Sequence, residues 1–145
     1  MAIIIPENFK FSLRELVDKQ SFVDYGEGCW NFFPQDSIDM LHGISTYLNL
    51  PITVNSWSWG GGLRFRGYRG PSCTIGAQGS YHRSGRGWDF DVKGMTAEQV
   101  RTEIKANQDN ELLKLIQRME KKVTWVHVDM GDLKEGQNRI YLFNP

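Results

Sequence analysis

The sequence lacks the signals of a membrane-spanning or exported protein. None of its hydrophobic runs approaches the roughly 20 residues that cross a bilayer. The segment 1–9 has a short apolar run before Pro6 but no basic flank, so it does not have the pattern of a secretory signal. We therefore expect no membrane partner and a protein that is cytoplasmic when made.

The sequence also has no net charge and little cysteine. Its 17 Lys and Arg balance its 17 Asp and Glu, so attraction of the whole molecule to nucleic acid or to a membrane surface is not indicated. The two cysteines, Cys29 and Cys73, lie far apart and form no CxxC pair. In a chain without an export signal, we expect them to be free thiols rather than a disulfide.

What the chain does contain is the composition of one globular domain spanning residues 1–145, without repeats or linkers. Apolar spacing and capping residues predict helices over about 12–20, 36–48, 96–106 and 109–121. Strands are predicted over 52–57, 88–92, 123–129 and 139–143, and the glycine-rich stretch 60–87 is predicted to be loop. These elements predict an α+β domain in which a small antiparallel sheet, closed by a hairpin of the last two strands, packs with about four helices.

Two of the three histidines, His82 and His127, lie close in sequence to aspartates. Alternate residues of an extended strand share a face, so Asp89 and Asp91 are predicted to project together, as are His127 and Asp129. If the two strands are neighbours, His82 in the preceding loop joins Asp89 and His127 around one ion. Two imidazoles and one carboxylate form a known catalytic zinc set that leaves a coordination position for water.

Spacing alone leaves a second interpretation equally open. A histidine near an aspartate is usually a hydrogen-bonded pair, and two histidines with one aspartate often occur together by chance. The third histidine, His42, stands alone on a predicted helix, where we expect a structural or surface role. The motifs around the other two histidines strengthen the case for a metal site.

Three segments carry these motifs, in the order Gly67-Tyr-Arg69, Ser80-x-His82-x-x-Gly85-x-Gly87-x-Asp89 and Trp125-Val-His127. The second segment resembles the SxHxxGxAxD motif of the zinc D-Ala-D-Ala carboxypeptidases and L-alanyl-D-glutamate endopeptidases, which share the Hedgehog/DD-peptidase fold. The other two resemble that family's SGYR and WxH elements, although Arg66 replaces the serine. The stretch Leu50-Pro-Ile-Thr-Val-Asn-Ser56 resembles the strand that leads into the first of these elements. The matches come in family order and span about residues 36–129, and the overall pattern is similar to that of small phage-encoded members.

This resemblance implies a zinc-dependent peptidase that cleaves the stem peptides of peptidoglycan, with zinc as its cofactor. The zinc ligands would be His82, Asp89 and His127. Arg69 would act in catalysis by binding the carbonyl or carboxylate of the substrate. The side chains that would contact the stem peptide are Arg66, Arg69, Ser80 and Tyr81. Release at lysis, or carriage in a virion, would bring such a protein to the cell wall.

One position departs from the family pattern. The family usually has Asp or Glu three residues before the last ligand, where this chain has Thr124. Asp129 or Asp91 could supply the missing catalytic carboxylate, or could instead support a ligand imidazole, which is the role we favour for Asp129. Glu120 is predicted to end a helix in solvent. A second hypothesis therefore stays open, a catalytically lapsed relative that binds zinc and a wall peptide or a partner protein.

Positive charge is concentrated where acidic residues are missing. No Asp or Glu occurs between Asp39 and Asp89, but five arginines do: Arg64, Arg66, Arg69, Arg83 and Arg86. Arginines suit an anionic peptide, but with interleaved aromatic residues they could also bind phosphates and stack bases. The third hypothesis is thus a polyanion-binding or nucleic-acid-binding module. No known nucleic-acid motif accompanies the charge, so we rank this hypothesis below a solvated loop whose arginines pair with acids elsewhere.

Overall fold

The computed structural model describes residues 2–71, 73–74 and 80–145, and it has the α+β fold that the sequence predicts. The α-helices are α1 (Lys19–Tyr25), α2 (Gln35–Leu48) and α3 (Ala97–Ala106). The strands are β1 (Ile52–Thr53), β2 (Gly87–Val92), β3 (Arg118–Glu120), β4 (Val126–Asp129) and β5 (Tyr141–Phe143). Short 3-10 helices cover Leu13–Glu15, Gly26–Phe32, Trp57–Trp59, Tyr81–Ser84 and Glu111–Leu113.

The five strands form one mixed sheet in the order β1-β2-β4-β3-β5. The prediction of a wholly antiparallel sheet is wrong, because β5 runs parallel to β3. The predicted closing hairpin is absent too, since β4 lies between β2 and β3. Residues 130–140 connect β4 to β5, a segment longer than a hairpin loop and long enough to cross over β3.

Two of the predicted helices agree with the structure. Helix α2 buries its predicted stripe, with Ile38, Leu41 and Ile44 fully inaccessible to solvent. Helix α3 begins at the predicted capping box, in which the backbone N–H of Gln99 donates to Thr96 Oγ1 at 3.1 Å. The sequence also predicts a loop over 60–87, of which residues 72 and 75–79 lie outside the described residues. The part that is described contains only the 3-10 helix Tyr81–Ser84, one isolated bridge and the first residue of β2.

The predicted helix over 12–20 is replaced by two shorter elements. The Ser12 N–H donates to Glu15 at 2.7 Å, as a capping box requires, but the helix that follows is one 3-10 turn, Leu13–Glu15. The chain then leaves the helical path and pairs with a distant loop: Val17 forms a parallel bridge with Tyr68, whose N–H donates to the carbonyl of Leu16 at 2.8 Å. Helix α1 starts only after Asp18, whose side chain accepts from Ser21 N–H.

The prediction of a fourth helix, over 109–121, is also wrong. Its apolar residues Leu113, Ile116 and Met119 are fully buried, but they lie on a 3-10 turn followed by β3. The backbone of this segment bonds to the sheet instead of to itself, as when Gln117 N–H donates to the carbonyl of Asp129 at 3.0 Å. This change moves Glu120 from a helix end to a strand.

The two faces of the central strands differ in chemistry. One face joins the apolar core with helix α3 through Trp88, Phe90, Val126, Val128, Val100 and Ile104. Strand alternation turns Asp89, His127 and Asp129 to the opposite face, where they are nonetheless buried. The polar face of β2 and β4 therefore positions the candidate site.

Cys29 and Cys73 are both buried and no disulfide joins them, which confirms the prediction of unlinked thiols. Burial, with the nearby charge of Asp18, raises the pKa of the Cys29 thiol to about 11, so this thiol stays protonated at neutral pH. Within the described part of the chain, no helix is both long and apolar enough to cross a membrane.

Candidate metal centre

The antiparallel pairing of β2 with β4 brings two of the predicted ligands side by side. Asp89 and His127 are direct partners in this register. His82 comes from the 3-10 helix before β2, which ends at Gly85 in the left-handed region with φ 70°. A Cβ at this glycine would collide with the carbonyl oxygen of Phe32, so the turn that delivers His82 requires glycine at this position.

The three predicted ligands converge on one point. His127 Nδ1 lies 2.7 Å from Asp89 Oδ1, and His82 Nε2 lies 3.2 Å from Asp89 Oδ2. Each residue offers one donor atom within 4.8 Å of the other two. His82 is 2% exposed, Asp89 is 6% exposed and His127 is 9% exposed. This buried group could hold a metal ion.

Each imidazole is oriented by a hydrogen bond at the ring nitrogen that faces away from Asp89. His82 Nδ1 lies 2.9 Å from the carbonyl oxygen of Gly67, and because a carbonyl only accepts, this nitrogen carries the proton. The lone pair of His82 Nε2 is therefore left for the ion. His127 Nε2 lies 2.7 Å from Asp129 Oδ2, which directs Nδ1 towards Asp89 in the same way.

Asp129 contacts the side of the His127 ring that faces away from Asp89, and both of its carboxylate oxygens are hydrogen-bonded. Its side chain is 0% exposed and accepts from Arg118 Nε at 2.8 Å and from Arg118 Nη2 at 2.9 Å. The Gly131 N–H donates to the same carboxylate at 2.9 Å. With both oxygens engaged away from solvent, Asp129 fits the support of His127 better than a catalytic base.

The close packing of charge shifts the pKa values of the site. Burial opposes ionisation of Asp89, but its close contacts with the rings of His127 and His82 outweigh this effect and hold the pKa of Asp89 well below its usual range. Burial likewise opposes the charged form of His127, yet hydrogen bonds to Asp129 and Asp89 raise its pKa to about 9. In the metal-free protein the charged ring therefore stabilises the fold below the unfolded pKa of about 6.5, and this stabilisation is lost as the pH rises through about 9.

Metal binding is expected to release one proton. Below pH about 9 the metal-free His127 carries a proton on Nδ1, and coordination requires that proton to leave. Affinity for Zn²⁺ should therefore rise about tenfold per pH unit up to that pH. Calorimetric titration in buffers of different ionisation enthalpy counts the released protons. A count of zero, with an affinity that does not change with pH, would contradict this expectation.

A cleft of about 380 Å³ opens over the three ligands. It is lined by Arg69, Ser80, Tyr81, His82, Asp89, Arg118, Glu120, Trp125, His127, Asp129 and Phe143. Three of the four predicted substrate-binding residues thus lie at the cleft. The fourth, Arg66, is not among its lining residues and pairs instead with Asp91 at 2.6 Å. Arg69 donates to Asp89 Oδ2 at 3.3 Å and to the carbonyl of Phe65 at 2.7 Å.

The residue that sequence analysis missed is Glu120. The pairing of Arg118 with Asp129 and of Met119 with Val128, continued by one residue, places Glu120 beside His127, and Glu120 lines the cleft. The polar-apolar-polar alternation of residues 118–120 was the only local signal for it. Thr124, in contrast, lines a separate groove with Val126 and does not line the cleft of His127.

The arginine-rich stretch is partly engaged with acids of β2. Arg66 and Arg69 contact Asp91 and Asp89, and Arg83 donates to the backbone carbonyl of Cys73 at 2.8 Å. These contacts agree with the interpretation of a loop whose arginines pair within the protein.

Comparison of the chain with protein-family models, with curated proteins and with solved structures found no match. The resemblance to the zinc peptidases thus rests on the motif residues alone.

Proposed function

We propose that this protein is a zinc-dependent peptidase that hydrolyses the stem peptides of peptidoglycan. The observation that carries the proposal is the buried group of His82, Asp89 and His127 at the floor of a cleft that also contains Arg69 and Glu120. A metal ligand set, a carboxylate and a cation in one cleft are the groups that peptide hydrolysis needs.

The donor set fits zinc. Two imidazoles and one carboxylate are typical of catalytic zinc sites, whereas magnesium and calcium prefer oxygen donors alone. Both imidazoles already have a hydrogen-bond partner on the nitrogen that faces away from Asp89, Gly67 for one and Asp129 for the other. When bound, zinc would polarise the scissile carbonyl and lower the pKa of its water towards neutrality.

Glu120 is the residue that we assign as general base. Glu120 lines the cleft, and continuing the β3–β4 register by one residue pairs it with His127. As the oxygen of the water forms its bond to the carbonyl carbon, Glu120 takes the proton that the water loses. It then gives this proton to the leaving nitrogen as the C–N bond breaks. With Glu120 in this role, Thr124 does not have to supply a base.

The rest of the cleft suits an anionic peptide. Arg69 uses Nη2 and Nε within the protein. Among the described residues its Nη1 makes no hydrogen bond, so this nitrogen could bind a carbonyl or carboxylate of the substrate. The rings of Tyr81, Trp125 and Phe143 also line the cleft and would pack against aliphatic parts of a stem peptide. Stem peptides end in carboxylates, which arginine binds through charge-assisted hydrogen bonds.

Zinc-loaded protein is expected to release new stem fragments from purified peptidoglycan, and metal-free protein is expected to release none. Mass spectrometry of the digest measures this difference, and the fragment masses identify the bond that is cut. An unchanged digest, with zinc shown to be bound, would favour the lapsed relative that binds zinc without turnover. Tight, salt-sensitive binding to nucleic acid without zinc binding would favour the polyanion module.

A further inference from the structure

We infer that Arg118 is a positioning residue that holds His127 in its metal-binding orientation by acting through Asp129. This inference rests on the proposed metal site and concerns how that site is kept in shape. A continuous chain of contacts carries it. Arg118 Nε and Nη2 donate to Asp129 at 2.8 and 2.9 Å, and Asp129 Oδ2 lies 2.7 Å from His127 Nε2.

The geometry of this ion pair fixes the plane of the Asp129 carboxylate. Two parallel N–H···O bonds from one guanidinium restrain both oxygens at once, which a single point charge cannot do. The carboxylate therefore cannot turn about its Cβ–Cγ bond without breaking both bonds. Because Oδ2 receives one of these bonds as well as the contact from His127, the direction of the imidazole follows from the position of the guanidinium.

Arg118 is itself packed against two aromatic rings. Its guanidinium carbon lies 4.3 Å from the ring centre of Phe143 and 5.1 Å from that of Tyr81. Strand register makes Arg118 the direct partner of Asp129. Among the described residues it is also the one cation in an ion pair with Asp129 besides the candidate ligand His127. Asp129 is fully buried, so it depends on this pair for charge compensation.

The test measures metal affinity, which does not require turnover. We expect Arg118→Gln to weaken Zn²⁺ binding about 10- to 100-fold, the usual effect of losing a group that orients a ligand imidazole. Arg118→Lys keeps the charge but loses the paired hydrogen bonds, so its Zn²⁺ affinity should lie between those of the wild-type protein and Arg118→Gln. Competition with a chromophoric chelator gives the affinities, and the visible spectrum of bound Co²⁺ should shift in both variants.

Arg66→Gln is the matched control. Arg66 is about as accessible as Arg118, with a side chain 19% exposed against 23%, whereas its partner Asp91 is 50% exposed and Asp129 is 0% exposed. Its partner Asp91 makes no ion pair with a candidate ligand among the described residues. This variant should lose an arginine–aspartate ion pair while it keeps its Zn²⁺ affinity and its Co²⁺ spectrum.

A double variant separates positioning from general damage to the fold. If Arg118 acts through Asp129, then Arg118→Gln in an Asp129→Asn background should bind Zn²⁺ as tightly as Asp129→Asn alone. This double variant also avoids an uncompensated buried carboxylate, so it gives a result even if Arg118→Gln does not fold. A further loss of tenfold or more in the double variant would overturn the inference. Wild-type affinity in Arg118→Lys and Arg118→Gln would do the same, whereas a wild-type protein that binds no Zn²⁺ would overturn the metal site itself.

Discussion

His127→Ala is expected to abolish metal binding, whereas His42→Ala is expected to leave it intact. His127 supplies one of three donor atoms that lie within 4.8 Å of one another. Without it the ion would keep two protein ligands, fewer than the three of catalytic zinc sites. His42 lies on helix α2, where its ring is 6.1 Å from that of Phe9, and it takes no part in the group. The same substitution at the two positions therefore distinguishes a metal-binding histidine from one with a structural role.

Elemental analysis after desalting measures metal retention, and thermal unfolding with and without Zn²⁺ measures its free-energy effect. At a free Zn²⁺ concentration about 1,000 times its Kd, the wild-type protein should gain about 4 kcal/mol of stability. His127→Ala should gain almost none. Asp129 keeps its pair with Arg118 in this variant, so we expect the protein to remain folded. Full zinc occupancy in folded His127→Ala would refute the ligand assignment.

Glu120→Gln is expected to reduce hydrolysis about 10²- to 10⁴-fold, the usual contribution of a positioned general base. The amide has nearly the same shape as the carboxylate, but it cannot accept the proton of the attacking water. Glu120 is not one of the three candidate ligands, so zinc binding should be unchanged. Rates of stem-peptide cleavage, measured with zinc occupancy on the same samples, test this expectation.

Thr124→Val is the control for this second prediction. Thr124 occupies the position at which the resembled family usually has its acid, but in this protein it lines a different groove from the ligands. Its replacement should therefore leave the rate unchanged, and Thr124→Asp should not increase it. A fully active Glu120→Gln, or a gain of activity in Thr124→Asp, would show that the base has been assigned to the wrong residue.

The sequence by itself determined the elements whose signals are local. The stripe of α2 and the capping box of α3 are set by spacing within one turn of helix, and the structure agrees with both. The metal group was also within reach of the sequence. The alternation of polar and apolar residues along β2 and β4 puts Asp89 and His127 on the polar face of their strands. Gly85 indicates the turn that positions His82.

Only the tertiary structure decided what surrounds the metal group. Leu113, Ile116 and Met119 recur every three residues, a spacing that is equally compatible with a buried helix, so the pattern could not distinguish the helix from a turn followed by β3. The choice was made by backbone hydrogen bonds to β4 and β5, whose paired residues lie outside the segment that carries the pattern.

The position of β3 also fixes the roles of Arg118 and Glu120. At the end of a helix, Glu120 was predicted to lie in solvent. As part of β3, Glu120 lines the cleft and Arg118 pairs with Asp129. The sequence thus determined which residues could bind a metal, because those signals lie within a strand or a turn. The fold decided which residues stand beside them, because strand pairing is a non-local choice.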